Sequence, residues 1–148
     1  MLVGLDIETA GTAEAGGLRP QIAGGRITSF AYHRELTPYE HTVGGCTPGK
    51  VIYEPTALDI EYHLMPLIEA NKNPMVSYEM VTWNGVFDVA WLLAKGVDFD
   101  LVSSLKWHDA MLLYKRYDKM RTAYAKEEGL RCVALDAKGY GLKAAVAH

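Results

Sequence analysis

No stretch of this sequence approaches the roughly 20 consecutive apolar residues that a membrane-spanning helix needs, so no membrane partner is expected. The opening, Met1 to Glu8, has neither the basic segment nor the hydrophobic core of a signal peptide. Together with an acidic charge balance, this leads to the expectation of a cytoplasmic protein. Cysteine is scarce: Cys46 and Cys132 fit neither a disulfide framework nor a zinc site, and we read them as reduced thiols. His33, His41, His63, His108 and His148 show no metal-ligand spacing and read as surface or loop residues. The glycine pairs Gly16-Gly17, Gly24-Gly25 and Gly44-Gly45 lack the Lys-Ser/Thr that follows a phosphate-binding P-loop, so they read as turn formers. Positive charge is also short. A formal net charge of −3 excludes a protein that holds nucleic acid by a broad basic surface. It leaves room for an enzyme whose metal ions neutralise an acidic site. One locally basic stretch carries Lys106, Lys115, Arg116, Lys119, Arg121 and Lys126. It reads as a solvated helix face or, alternatively, a phosphate-contacting edge.

What is present is enough for one domain with a real core, residues 1–148: 49% of the chain is hydrophobic and 22% charged, the balance of a globular protein. "MLVGLDIET" reads as a strand, followed by a Gly-rich connection and a second strand from Arg26 to His33. "EHTVGG" and "KVIYE" are short strand candidates split by a turn. Thr56 with Asp59 has the form of a capping box. Ile60, Leu64, Leu67 and Ile68 then follow helical spacing, and Pro66 should kink that helix or end it early. "MVSYEMVTW" reads as a strand and "GVFDVAWLLAKG" as a helix closed by Gly96. "HDAMLLYKRYDKM" and "YGLKAAVAH" read as helices. Strands first, then strands alternating with helices, predict an α/β fold: a mixed sheet with helices on its faces.

Two sets of carboxylates ask for an explanation. On a strand, Asp6 and Glu8 project from one face, with Val3, Leu5 and Ile7 on the other. Two acids about 7 Å apart on one strand face become favourable when divalent cations sit between them, and hard oxygen donors select Mg²⁺ or Mn²⁺ over zinc. The alternative is an exposed face with ordinary acids. In "NGVFDVAWLLA", Asp88 is the only charged residue of an otherwise apolar helix. A helix this apolar is buried around most of its circumference, so an ionised Asp88 needs a partner. An Arg or a backbone cap could supply one. A metal shared with Asp6 and Glu8 would account for all three acids together.

The order and spacing of these motifs carry a resemblance. "LDIETAG" followed, about eighty residues on, by "WNGVFDVAWL" resembles the DEDD (DnaQ-like) superfamily of 3′–5′ exonucleases, in particular polymerase-associated proofreading domains. "WHDAMLLYKRYD" and "GYGLKAAVAH" resemble the segments that follow in that branch. The resemblance implies a ribonuclease H-like fold and two metal ions. Carried over, Asp6, Glu8 and Asp88 are the catalytic metal ligands, Thr9 lies near the terminal nucleotide, and Asn84 positions the second motif or the substrate. It implies hydrolysis at the 3′ end of single-stranded DNA, or RNA, releasing nucleoside monophosphates. Phe87 is expected to pack under the site, and Trp83 and Trp91 to belong to the core.

The family's third motif, an Asp preceded by a Tyr or His, has no counterpart at its expected place. Tyr114 and Asp118 have the right separation but fall too early, and we read them as a decoy. Asp109 is an alternative ligand or a helix cap, and Asp136 stands in a loop-like stretch. The expectation is therefore a C-terminally incomplete domain, with weak or no activity alone, that a partner chain or oligomer would complete. The competing expectation is a nuclease-like module that binds nucleic acid or a replication partner without cutting.

Overall fold

Alternation decides the first strand. In the computed structural model, which describes residues 1–11, 20, 24–36 and 47–131, β1 spans Leu2–Ala10. Val3, Leu5 and Ile7 are buried, and Gly4, Asp6 and Glu8 between them are exposed. β2 (Arg26–Arg34) returns antiparallel beside β1, and β3 (Gly49–Tyr53) antiparallel beside β2. α1 (Ala57–Asn71) then crosses over to β4 (Glu79–Thr82), which lies parallel to β1 on its other side. α2 (Gly85–Ala94) and α3 (Phe99–Ser104) lead to β5 (Lys106–Asp109), parallel to β4, and α4 (Ala110–Glu127) follows directly. The strand order is β3-β2-β1-β4-β5. Parallel neighbours need a long crossover and antiparallel ones do not, which is why, among the described residues, helices enter only after β3.

The core lies on one face of the sheet. Val3, Leu5, Ile7, Phe30 and Met80 meet Ile60, Leu64 and Leu67 of α1, Trp91 and Leu92 of α2 and Val102 of α3. The opposite face holds an open cleft of about 700 Å³, bordered by Gly4, Asp6, Ala31, Gly49, Val81 and Trp83. On α4, Leu113, Tyr117, Met120 and Tyr124 form a stripe that the described residues leave exposed.

The capping box forms as expected. The Thr56 hydroxyl accepts the Asp59 amide at 3.2 Å, and the Asp59 carboxylate accepts the Thr56 amide at 2.8 Å. Other expectations need correction. Pro66 does not end α1, which continues to Asn71. Pro66 is exposed between buried Leu64 and Leu67, so packing on both sides of it carries the helix past one missing hydrogen bond. β4 is shorter than the run from Met75 to Trp83 because the Asn71 amide holds Tyr78 in its place, donating to the Tyr78 carbonyl at 3.0 Å. β5 and α3 are additional elements. His108 and Asp109 belong to β5, and α4 runs seven residues beyond Met120. The strand candidate at 40–45, the helix at 140–148, Cys46, Cys132, His41, His148 and Asp136 lie outside the described residues.

Candidate functional site

The carboxyl ends of three parallel strands, β1, β4 and β5, meet at one rim of the sheet, the place where open α/β sheets present ligand sites. The β1–β4 ladder stops at the pair Gly4–Val81, after which the chain leaves β4 and turns into α2. The turn is tight. Asn84 adopts a left-handed conformation (φ 95°, ψ 58°), which Asn tolerates better than most residues, and its side chain makes no cap hydrogen bond. Gly85 is buried against β4, where a β-carbon would stand 2.6 Å from the Thr82 hydroxyl.

This turn delivers Asp88 to Ile7 of β1, just past the end of the β1–β4 ladder. Asp88 is 4% exposed. Backbone hydrogen bonds from its own amide and from Ile7 favour its charged form, but burial and the neighbouring charges of Asp6 and then Asp109 outweigh them and push its carboxyl up to about 7. The charge of Asp6 thus reaches Asp88, from a strand about eighty residues away along the chain. Asp6 also borders the cleft on the open face. Glu8 is exposed one pleat further along β1, beside an irregularity in the β1–β2 ladder at Glu8/Thr9. Thr9 pairs with Ile27 of β2 and is half-buried.

Asp109 is the residue whose reach the sequence hid. The β4–β5 register sets it opposite Thr82. Its Oδ1 accepts the amides of Leu112 at 3.2 Å and Asn84 at 3.3 Å, and its Oδ2 accepts the Gly85 amide at 3.1 Å. A helix cap was legible in the pattern of an Asp before an aliphatic run. The second set of bonds, to α2, depends on strand register and was not.

The remaining residues take structural places. Phe87 packs against the core with its ring 6.2 Å from Trp91. Trp91 is fully buried, with the Lys95 ammonium 5.2 Å from its ring centre. Trp83 is half-buried, borders the cleft and stacks obliquely on Tyr114 at 5.7 Å. His108, partly exposed on β5, meets Glu79 at 2.7 Å, and His63 lies 3.4 Å from the Tyr32 hydroxyl. Asp118 is buried and paired with Arg121 at 3.1 Å. It lies nine residues beyond Asp109, about 13 Å further along α4.

Among the described residues, no three His, Cys, Asp or Glu side chains stand together as a ready-made metal cage. The donor set at the rim is nevertheless all carboxylate, the chemistry that suits Mg²⁺ or Mn²⁺. Its buried member, crowded by two like charges, is one that a divalent cation would relieve. No helix among the described residues is long and apolar enough to cross a membrane. No family model matches the chain, and no curated protein matches it.

Proposed function

We propose that this chain is a metal-dependent 3′–5′ exonuclease domain of the DEDD type, on a ribonuclease H-like fold, acting at the 3′ end of single-stranded DNA or RNA. The observation that carries the reading is the buried Asp88 carboxyl, held within reach of the Asp6 charge just beyond the point where the β1–β4 ladder ends. The mixed sheet, antiparallel across β3-β2-β1 and parallel across β1-β4-β5, supports the fold side of the reading.

In this reading Asp6, Glu8 and Asp88 hold two Mg²⁺ or Mn²⁺ ions. Bound ions would supply the positive charge that stabilises phosphodiester hydrolysis and would make a water more acidic. The chain's own residues do the rest. Asp88, whose carboxyl is pushed up to about 7, would have to be ionised to hold a cation, which would couple metal affinity to pH. Asp6 and Glu8 stay on the open face, where a phosphate can approach once their charge is neutralised. Thr9 and Asn84 flank the terminal nucleotide. Phe87 and Trp91 keep the inner side of the site dry by packing beneath the first turns of α2.

The test is degradation of an end-labelled single strand in Mn²⁺ by the wild type and by Asp6→Ala. Removing a charge-stabilising group from such a site costs about 100-fold or more in rate. Equal rates in the two proteins would overturn the proposal.

A second reading is favoured by one observation, that no three acids among the described residues converge. In it the chain is a nuclease-like module that binds nucleic acid or a replication partner without cutting. Calorimetric titration with Mn²⁺ separates the two. Binding that is lost in Asp88→Ala supports the enzyme, and no binding at millimolar ion supports the module.

A further inference from the structure

We infer that Asp109 is a positioning residue for the proposed metal site: its carboxylate ties the start of α4 to the start of α2 and so sets where Asp88 stands. The inference rests on the reading above for its functional consequence, though not for its geometry.

A carboxylate has about four acceptor positions, and Asp109 gives three of them to backbone amides. One bond, to Leu112, caps α4. The other two, to Asn84 and Gly85, reach the neighbouring element. Those two amides belong to the residues that make the turn from β4 into α2. That turn contains a left-handed Asn and a Gly with no room for a side chain, so few backbone arrangements satisfy it. Two orphan amides at the start of α2, where the Asn84 side chain makes no cap, are satisfied from another element. Asp88 follows Gly85 by three residues, less than one helical turn. The angle at which Gly85 leaves the strand therefore sets the position of the Asp88 carboxyl at Ile7. A carboxylate so occupied is a support for the site rather than an open ligand.

Asp109→Ser tests this, because Ser caps a helix about as well as Asp but is too short to span to α2. In the full-length chain, amide exchange followed by NMR should speed up about 10-fold or more at Asn84 and Gly85, while Leu112 stays protected. Loss of a residue that orients a metal ligand typically costs about 10- to 100-fold in metal affinity, so Mn²⁺ binding by the folded chain should weaken by that factor, beside the lower melting temperature that two lost hydrogen bonds bring. Asp109→Asn keeps an acceptor for Asn84 and Leu112 and loses the one at Gly85, so it should fall between wild type and Ser. It also serves if the Ser variant does not fold. Unchanged exchange at Asn84 and Gly85 in the Ser variant overturns the inference. So does a loss of Mn²⁺ binding without faster exchange, which would make Asp109 a ligand itself. If the wild type binds no Mn²⁺, the nuclease reading fails, and the exchange rates still decide whether Asp109 holds the turn.

Discussion

The charge of Asp6 on β1 acts on the buried Asp88 of α2, raising a carboxyl that burial has already pushed up. The consequence for stability has a definite sign. The folded chain keeps the Asp88 proton to about pH 7, whereas an unfolded Asp releases it near pH 4, at about 3.9. Between those values the folded state binds more protons, so stability falls as pH rises, by at most about 1.4 kcal/mol per pH unit. His63 works in the opposite sense, because burial lowers its folded value and charging it costs stability as pH drops below its ordinary range. The difference between wild type and Asp88→Asn isolates the carboxyl. In metal-free urea unfolding, the Asn variant should gain on the wild type steadily from pH 4 to 7 and stay ahead above that. A constant difference across the range would show that Asp88 ionises as it does in water.

Loss of nuclease activity should follow the rim and not acids in general. Asp6→Ala and Asp88→Ala should each lower Mn²⁺-dependent strand degradation by about 100-fold or more. Asp118→Asn, although it alters a more deeply buried acid, should leave the rate per folded molecule unchanged, because Asp118 pairs with Arg121 away from the rim. It should instead lower the melting temperature, since it weakens a buried ion pair.

Gly85→Ala should destabilise by about 1–3 kcal/mol, the usual range for forcing an extra carbon into a packed site. The clash is with Thr82, which is 2% exposed and β-branched and so has little rotamer freedom to yield. Thr82→Ala in the same chain should recover part of the loss. Chemical denaturation of the two single variants and the double variant checks this, and strict additivity would mean that the two side chains do not meet.

Thr56→Ala should cost about 1 kcal/mol through loss of the α1 cap. Because Thr56 is exposed and far along the chain from the rim residues, Mn²⁺ affinity should not change. Thermal melts beside the calorimetric titration are sufficient to check both parts.

The features legible in the sequence are those set by neighbours along the chain. Val3, Leu5 and Ile7 go inside and Asp6 and Glu8 outside because a strand alternates every residue, whatever it pairs with. Thr56 and Asp59 cap each other across three residues. The apolar circumference of α2 announces burial, and with it the oddity of Asp88. Other features could not be read locally. β5 is only four residues with polar members, and it becomes a strand because β4 offers it an edge. Pro66 stays within a helix because Leu64 and Leu67 are packed on the sheet. Local periodicity thus determined which acids this chain presents and on which faces. Only the tertiary structure decided which of them influence one another: the short β1–β4 ladder and the β4–β5 register let the charges of Asp6 and Asp109 bear on buried Asp88, with Glu8 one pleat further along β1. Strand register is fixed by contacts between distant segments, and no local pattern encodes it.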